Sequence, residues 1–401
     1  MPHPPPIAAV EIGTSRTIVM IGEESAHGQT NIVGLGEAPT SGMCKGDLTS
    51  LPEVQKSLRA ALDDAMKYID AKITNIVLGI SNPSITAVGH DSVINFRESD
   101  HVVGTDDLEE VNELAGAFTL PTGCDLMHSF PLRYSLNDQH GIANPLGMRG
   151  ARLTLKTLAL LVAHDRVDNL LQAPASLGLN VDEAVFSGLA VAHAVLTEEQ
   201  KQRGVAVIDL GAGTTKYVVC EGGAVTAAGV LGVGGDHVTN DLETAFSTNS
   251  REAEQMKLKK GSAIIDPSIA TERYPLAKNL MQGERTASVR AIQTVTNARM
   301  DETFRFIRSD LNDSGALQRI GAGIVLTGGG AHMPRIDELA QQIFGVPAMI
   351  GRPVNVNGLD GMGDPVSYAT AAGLVIQGIQ NQGAEESSGG VGGWFRDLLK
   401  R

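Results

Sequence analysis

The chain has 401 residues, which at the usual size of a domain corresponds to about two to four domains whose cores need no disulfide or metal support. Lys and Arg number 32 against 46 Asp and Glu, and the formal net charge of -14 disfavours general nucleic-acid binding. Three cysteines lie far apart without metal-ligand spacing, as expected in a reducing cytosol. Neither a secretory signal nor a run of about 18 apolar residues is found, so we expect a cytoplasmic protein without a membrane span.

The two halves of the sequence open with the same pattern. Residues 7–15 read as a strand that ends in an acidic residue and continues into Gly with Thr and Ser, and residues 205–215 repeat this order. In each half, two further β-rich runs follow, at 17–21 and 32–35 and at 217–220 and 224–230. Because the repeat distance is about half the chain, we predict two similar domains that face each other.

Helix and strand patterns follow each opening. Apolar residues between Val54 and Ile69 recur about every 3.6 positions, which predicts a helix over 52–69 capped by Ser50, and a strand follows over 73–80. The second half closes with a matching unit: a strand over 323–326, a glycine cluster over 327–330, a helix over 335–344 and a short strand over 346–350. This order predicts an α/β layered fold.

Three segments depart from this core pattern. Residues 84–162 change to short strands around one acidic helix at about 106–118, which predicts an inserted α+β subdomain. Residues 236–313 are rich in charge and helix formers, and they predict a second subdomain. Residues 380–393 have the Gly, Ser and Glu composition of a flexible linker that sets a short tail, 394–401, apart.

The tail is amphipathic when it is drawn as a helix. Its apolar face carries Trp394, Phe395, Leu398 and Leu399, and its cations are Arg396, Lys400 and Arg401. Such a segment suits a membrane interface, with the cations near anionic lipid. Eight residues bind weakly, so firm attachment needs several copies on a filament. Docking of the tail on the protein's own surface is the alternative.

A glycine turn directly after an acidic strand end is suited to phosphate, because backbone N–H groups approach the anion where no side chain blocks them. Two such turns from related strands would clamp one polyphosphate, while Glu11 and Asp209 hold a hydrated Mg²⁺. Two ordinary glycine hairpins are the alternative. The third cluster, 327–330, matches neither a GxGxxG fingerprint nor a P-loop, which disfavours a Rossmann dehydrogenase and a P-loop ATPase.

The order of these turns resembles the actin, Hsp70 and sugar-kinase ATPase superfamily, with phosphate turns at 11–16 and 209–215, a glycine turn at 232–235 and an adenosine cluster at 327–330. Within that superfamily the chain is most similar to the FtsA family of bacterial cell-division proteins. The FtsA-like stretches are 41–46, 144–148, 186–190, 195–199, 253–257 and 324–330.

The resemblance implies an α/β, actin-like two-lobed fold, in which an FtsA-type 1C insert replaces the smaller subdomain of actin. The implied boundaries are 1–83 and 163–198 for subdomain 1A, 84–162 for 1C, 199–232 and 318–379 for 2A, 233–317 for 2B, 380–393 for a flexible linker and 394–401 for an amphipathic membrane-targeting helix.

The resemblance also implies that ATP lies between the halves, with Mg²⁺ held through water by Glu11 and Asp209. The implied phosphate contacts are Gly13, Thr14, Ser15, Arg16, Gly211, Ala212, Gly213, Thr214 and Thr215. The implied ribose and adenine contacts are Gly235, Glu254, Lys257, Gly328, Gly329 and Gly330.

Two positions depart from related ATPases. Ser187 stands where an acidic or amide residue usually precedes a helix, and Lys216 ends the second phosphate turn where Asp is common. Neither is a good general base at neutral pH, so we expect ATP binding with weak hydrolysis or none. Lys216 is interpreted either as a phosphate contact or as a solvated strand lysine.

The implied function is that of a cell-division protein that polymerises through 1C on the cytoplasmic face of the membrane, tethers FtsZ filaments there and works with other division proteins. The C-terminal peptide of FtsZ is expected at 2B, where Arg299, Arg305 and Arg308 lie on one predicted helix. Two alternatives stay open: a sugar- or acetate-kinase-like phosphotransferase, and a PilM-like pilus-assembly adaptor.

Overall fold

The computed structural model describes residues 6–25, 28–67, 69, 72–269, 271–279 and 283–387. The predicted tail, 394–401, lies outside these residues.

The first lobe is a six-stranded sheet with helices on both faces. Along strand β1, Ala8 and Val10 pack toward helix α1, whereas Ala9 packs toward helix α10, as the period of two in a strand requires. The elements of this lobe before the insert are β1 (Ile7–Ile12), β2 (Arg16–Glu24), β3 (Thr30–Pro39), β4 (Met43–Cys44), β5 (Asp47–Leu48), α1 (Leu51–Ala65) and β6 (Asn75–Ile80).

A separate subdomain is inserted into the first lobe after strand β6. Its four-stranded antiparallel sheet packs one helix, and its own apolar cluster includes Val111, Leu153 and Leu155. The insert contains β7 (Thr86–Asn95), β8 (His101–Val102), α2 (Thr105–Gly116), β9 (Cys124–Leu136), β10 (Gln139–Ile142), β11 (Arg149–Gly150) and β12 (Arg152–Ala163). The first lobe resumes with α3 (His164–Ala175), β13 (Asn180–Phe186), α4 (Ser187–Val195) and α5 (Glu198–Arg203).

The second lobe is a five-stranded sheet covered by helices and a two-stranded ribbon. Its core includes Ile208, Val238, Phe304 and Leu326, all buried. The elements are β14 (Val205–Leu210), β15 (Thr215–Glu221), β16 (Ala224–Leu231), α6 (Gly235–Phe246), α7 (Ser250–Lys260), β17 (Arg273–Asn279), β18 (Gly283–Ser288), α8 (Val289–Asp313), β19 (Ile324–Thr327), α9 (Ile336–Phe344) and β20 (Ala348–Ile350). Strand β21 (Val356–Asn357) and helix α10 (Ala369–Ser387) return to the first lobe.

The two large sheets have the same topology. The first runs β3-β2-β1-β6-β13, with β21 added beside β3, and the second runs β16-β15-β14-β19-β20. In both sheets the first three strands are antiparallel and the last two pairings are parallel. The two predicted meander openings are therefore confirmed, and the acidic ends of β1 and β14 occupy equivalent places.

Two predicted boundaries differ from the structure. The helix predicted over 52–69 ends at Ala65, and the chain then reaches strand β6. The flexible linker was predicted from residue 380, but helix α10 runs to Ser387. Its residues Gln377 and Asn381 donate hydrogen bonds to the Glu183 carboxylate, at 2.8 and 2.6 Å, which extends the helix past the predicted boundary. Among the described residues, none of the helices has the length and apolar character needed to cross a bilayer.

Candidate functional site

A cavity of about 690 Å³ lies between the two lobes, at the ends of the equivalent strands β1 and β14. Its lining includes every residue that the sequence predicted for ATP and Mg²⁺. These are Glu11, Gly13, Thr14, Ser15, Arg16, Asp209, Gly211, Ala212, Gly213, Thr214, Thr215, Gly235, Glu254, Lys257, Gly328, Gly329 and Gly330.

The two turns that enter the cavity have the same geometry. The Gly13 N–H donates to the Arg16 carbonyl at 3.0 Å, and the Gly211 N–H donates to the Thr214 carbonyl, also at 3.0 Å. A Cβ atom on Gly13 or Gly211 would lie 2.8 or 2.7 Å from the same carbonyl oxygen that its N–H bonds. Glycine is therefore required at both positions by the turn itself.

The turns touch across the cleft. A Cβ atom on Gly213 would lie 2.3 Å from Thr14 Oγ1, so the backbone of one turn packs directly on the side chain of the other. Beside this contact, the Ser81 and Thr214 hydroxyls are 3.1 Å apart and share a hydrogen bond. Ser81 follows strand β6 of the first lobe. The packing of Gly213 on Thr14 and the hydrogen bond between Ser81 and Thr214 therefore join the two lobes at the cavity floor.

Helix α6 begins at the second turn. The N–H groups of Gly235 and Asp236 donate to the carbonyls of Gly211 and Ala212, both at 2.9 Å. A Cβ atom on Gly234 would lie 2.4 Å from the Ala212 carbonyl oxygen, so this glycine is also needed for close approach. The helix N-terminus is thereby held against the turn and favours an anion nearby.

Glu254 and Lys257 lie together on helix α7 at the cavity wall. Lys257 Nζ donates to the Gly235 carbonyl at 3.0 Å and to Thr239 Oγ1 at 2.9 Å, and it pairs with Glu254 Oε2 at 2.6 Å. Thr239 Oγ1 also donates to Glu254 Oε2, at 2.5 Å. These bonds hold a carboxylate and an ammonium group beside the start of helix α6, where both remain able to meet polar atoms of a ligand.

The third glycine cluster follows strand β19 and bends around Asp209. Gly328 has φ +80°, and a Cβ atom there would lie 2.1 Å from Asp209 Oδ1, so only glycine fits. Gly330 is similarly close to Leu210, with 2.8 Å to its Cβ. Gly329 differs, because a Cβ atom on it would have no neighbour within 4 Å. Its surface therefore faces open cavity.

Asp209 and Glu11 meet at the bottom of the cavity around one cation. Lys216 Nζ lies 2.7 Å from Asp209 Oδ2 and 3.8 Å from Glu11 Oε1, and the lysine side chain is 4% exposed. Thr370 Oγ1 also donates to Asp209 Oδ2, at 3.1 Å. Burial favours the neutral amine, but Asp209 and Glu11 outweigh it and raise the pKa of Lys216. The interpretation of Lys216 as a solvated strand lysine is therefore wrong.

Direct coordination of Mg²⁺ by Asp209 Oδ2 does not fit this arrangement. Mg²⁺ is held through carboxylate oxygens and water. Asp209 Oδ2 already accepts from Lys216 and Thr370, and the Gly328 backbone lies close to Asp209 Oδ1, since a Cβ atom on Gly328 would be 2.1 Å from it. The carboxylates of Glu11 and Asp209, which were predicted to hold hydrated Mg²⁺, instead face the ammonium group of Lys216.

Arg16 and Ser187, two other positions singled out by the sequence, both line the cavity. The Arg16 guanidinium forms an ion pair with Glu37 at 3.0 Å and lies 5.7 Å from the Tyr368 ring centre, so its charge is already partnered at the cavity wall. The Ser187 hydroxyl is buried at the start of helix α4, lines the cavity and has no hydrogen-bond partner among the described residues. Ser187 is 0% exposed, so its hydroxyl is enclosed by its neighbours.

The three arginines predicted to bind the FtsZ peptide differ in their partners and in their exposure. Arg299 donates to Asp241 at 2.6 and 2.8 Å and pairs with Glu302 at 2.5 Å, which turns it toward helix α6. Arg305 pairs with Asp301 on its own helix, with 64% of its side chain exposed, and Arg308 is exposed. Arg299 is therefore less exposed than Arg305, at 25% against 64%, and its place in the peptide site stays a prediction.

Several cavity residues were not found from the sequence. Ser81, Thr303, Met300, His332, Ser367 and Thr370 line it as well. Thr370 is the most informative of these, since it bonds Asp209 from helix α10, 161 positions along the chain. Single Ser and Thr residues outside a turn motif carry no local signal, so only the packing of α10 against the first sheet brings Thr370 here.

Comparison with known proteins gives two matching families. The family described as "Cell division protein FtsA" matches residues 206–373, and that described as "SHS2 domain inserted in FTSA" matches residues 83–161. The FtsA of Pseudomonas aeruginosa is 33% identical over 377 residues, which are 94% of this chain and 90% of the relative. The FtsA of Escherichia coli K12 is 30% identical over 405 residues, 98% of this chain and 96% of the relative.

Solved structures share the fold at lower identity. A PilM-PilN type IV pilus biogenesis complex matches with TM-score 0.62 and 18% identity, over 93% of this chain and 98% of that one. MreB5 of Spiroplasma citri bound to ADP matches with TM-score 0.59 and 14% identity, over 96% and 100%. The MamK double helical filament matches with TM-score 0.52 and 12% identity, over 93% and 98%. These likenesses concern the fold, and they confirm the predicted α/β, actin-like architecture.

Proposed function

The chain belongs to the FtsA family of cell-division proteins, and from this premise we propose that it binds ATP between its lobes and links FtsZ filaments to the cytoplasmic face of the cell membrane. The family membership confirms the predicted family. The PilM likeness is one of fold at 18% identity, whereas the FtsA relatives are 30–33% identical over most of the chain, which favours this function over the PilM-like and kinase-like alternatives.

The observation that carries the nucleotide proposal is the pair of equivalent glycine turns that meet at Thr14 and Gly213. Two sets of backbone N–H groups converge on one cavity of about 690 Å³, in the size range of small-molecule sites. The phosphates would lie against the two turns, and the start of helix α6 would add its positive end. Glu254 and Lys257 would meet the ribose and adenine edge, and Gly329 would leave room for the adenosine.

We expect hydrolysis to be weak or absent. A water that attacks phosphate must be positioned or deprotonated by a suitable group. The Ser187 hydroxyl is fully buried at the cavity wall, and a hydroxyl is a poor base. Lys216 is charged and paired with two carboxylates, so it cannot take up a proton.

Membrane attachment is assigned to the tail, residues 394–401, which lies outside the described residues. Its apolar residues and cations suit the surface of an anionic bilayer. A filament of many copies would convert this weak affinity into stable attachment. The location we propose is therefore peripheral, at the cytoplasmic face of the membrane at the division site.

Self-association is assigned to the insert. Val88, Val102, Leu114 and Leu146 are large apolar side chains of the insert that are 37% or more exposed. The loop after Leu146 is bonded to the strand that carries Val102, since Gly147 N–H donates to the Val103 carbonyl at 2.9 Å. Exposed apolar side chains on a small domain favour contact with a neighbouring subunit, and a head-to-tail contact gives an open filament.

FtsZ binding is assigned to the subdomain of residues 233–317. On helix α8, Phe306 is 54% exposed and lies between Arg305 and Arg308 in sequence. An apolar side chain beside exposed cations suits a peptide that is acidic or ends in a carboxylate. Other division proteins would be gathered on the same filaments.

The nucleotide proposal is tested by filling the open space at Gly329. Gly329→Val adds a side chain where the structure has room for it, so we expect a folded protein whose cavity no longer admits adenosine. Isothermal titration with ATP should show at least about a tenfold loss of affinity, equivalent to about 1.4 kcal/mol. The matched control is Gly361→Val, which also meets nothing within 4 Å but lies outside the cavity. Equal ATP affinity in the two variants would contradict the site.

A further inference from the structure

The cavity holds one feature that nucleotide binding by glycine turns does not explain. The ammonium of Lys216 is enclosed by the carboxylates of Glu11 and Asp209, which come from different lobes. All three side chains are largely or fully buried, at 4%, 14% and 6% exposure. A buried lysine is normally kept only where it is paired and has a task.

The strand register fixes this lysine in place and makes it unique to one lobe. Lys216 is the direct cross-strand partner of Asp209 in the β14–β15 pair, so both side chains leave the same face of the sheet. In the first lobe the equivalent partner of Glu11 is Ile18. The two equivalent strands thus end in Glu11 and Asp209, but only the second has a lysine as its cross-strand partner. Lys216 lies in the second lobe, and its ammonium is 3.8 Å from Glu11 of the first lobe.

The lysine reduces the negative charge at the cavity floor. Two carboxylates that share a buried site repel each other and any phosphate that comes near them. The Lys216 charge halves the formal negative charge of the pair. Burial raises the pKa of Glu11, and Lys216 partly opposes this effect. Removing the cation would leave a strongly anionic cavity floor.

We propose that the Lys216 ammonium is the built-in counterion of the nucleotide site, so that ATP binds with an affinity that depends little on Mg²⁺. The inference rests on the proposed nucleotide binding. Asp209 Oδ2 is bonded to Lys216 and Thr370, and a metal ion would have to displace the lysine to use it. Lys216 also lines the cavity, so the chain itself would supply a cation near the phosphates of ATP.

The test measures ATP affinity of the full chain by isothermal titration, once in EDTA and once in excess MgCl₂, for the natural protein, Lys216→Gln and Lys257→Gln. The natural protein should show dissociation constants within about threefold of each other, less than 1 kcal/mol. Lys216→Gln should bind at least about tenfold more weakly in EDTA, with Mg²⁺ restoring most of this loss, because the acidic pair becomes free for the metal.

Lys257→Gln is the matched control, since it removes one positive charge from the same cavity, away from the acidic pair. It should weaken binding equally in both buffers. If the natural protein binds ATP only with Mg²⁺, the inference is overturned but the proposed ATP binding stands. If the natural protein binds ATP in neither buffer, the proposed function itself is overturned. If folded Lys216→Gln binds ATP equally in both buffers, or does not bind it in either buffer, the inference is also overturned. If Lys216→Gln does not fold, the comparison of the natural protein's ATP affinity in EDTA and in MgCl₂ tests the inference by itself.

Discussion

Thr14 and Gly213 hold the two lobes at contact distance where the cavity begins. A Cβ atom on Gly213 would lie 2.3 Å from Thr14 Oγ1 and 2.8 Å from Thr14 Cβ. Rotation of the threonine about its χ1 angle moves its oxygen but not its Cβ, so the backbone of one turn would have to shift. The spacing of the phosphate turns is therefore set by the absence of a single methyl group.

Gly213→Ala should widen the cleft and weaken ATP binding. Overpacking of this kind costs about 1–3 kcal/mol, so we expect the free energy of unfolding to fall by that amount and ATP affinity to fall at least about tenfold. Urea unfolding and isothermal titration measure the two effects. Gly116→Ala, which meets nothing within 4 Å on helix α2, should leave ATP affinity unchanged and should not lower the free energy of unfolding. An unchanged affinity of Gly213→Ala would show that the spacing of the turns is unimportant.

The local elements of the cleft were predictable because each has a local signal. Short apolar runs that end in an acidic residue predicted β1 and β14, and the glycine that follows each run predicted both turns. The Arg16 and Thr214 carbonyls that require Gly13 and Gly211 are three residues along the same chain, so the requirement can be read from the sequence.

The state of Lys216 was not predictable, because it depends on contacts between lobes. The sequence places Lys216 opposite Asp209 only if the hairpin register is known, and it gives no sign that Glu11 of the other lobe is 3.8 Å away. Arg299 is a similar case. The sequence places three arginines on one helix, but it gives no sign that Arg299 pairs with Asp241 on helix α6. Ion pairs between distant segments follow from packing, which no local pattern encodes.

His128 should make the protein less stable in mild acid. Burial lowers its pKa to about 3, with the His193 charge adding to the effect, so the folded protein keeps it neutral while the unfolded chain protonates near pH 6.5. Stability is therefore fully present above pH 6.5 and is lost as the pH falls toward 3. Between pH 7 and pH 5 this one group should cost about 2 kcal/mol.

Urea unfolding of the natural protein and of His128→Gln at both pH values measures this cost. Glutamine retains an acceptor for the Phe186 N–H, which donates to His128 Nε2 at 3.0 Å, and it does not titrate. The stability difference between pH 7 and pH 5 should shrink by about 2 kcal/mol in the variant. His140→Gln, at an exposed histidine of β10, should leave the difference unchanged. An equal acid sensitivity of natural protein and His128→Gln would contradict the prediction.

Helix α8 should bind the C-terminal peptide of FtsZ through its exposed cations. Fluorescence anisotropy should show binding that weakens as salt rises, and the double reversal Arg305→Glu with Arg308→Glu should reduce affinity at least about tenfold. The ion pair of Arg305 with Asp301 is largely exposed, so releasing it costs little.

The matched control for the peptide is Arg251→Glu with Arg290→Glu. It makes the same change in net charge at exposed arginines of the same subdomain, one on helix α7 and one near the start of α8. Affinity should be nearly unchanged in this variant. Equal losses in the two double variants would mean that only the overall charge matters and that the site is elsewhere.

Residues 394–401 should hold the protein on anionic bilayers. Burial of Trp394 and its three apolar neighbours, at about 25 cal/mol per Å², outweighs the cost of ordering eight residues by only a small margin, so each copy binds weakly. Each cation adds about 1 kcal/mol near anionic lipid. Trp394→Glu places a charge in the apolar face, and sedimentation with phosphatidylglycerol-containing vesicles should then fall at least about tenfold. Added salt should weaken binding of the natural protein only in part, because the apolar contribution remains.

The control for the tail is Ser388→Glu, which adds the same charge to the polar segment before it and should sediment as the natural protein does. ATP affinity should be equal in both variants, since the tail is separated in sequence from every residue that lines the cavity. Vesicles of phosphatidylcholine alone should recover less protein, which isolates the contribution of the cations. A chain that ends at Gly393 and still sediments like the full chain would place the membrane contact elsewhere in the protein, and the exposed apolar side chains of the insert, such as Leu146, would become the next surface to substitute.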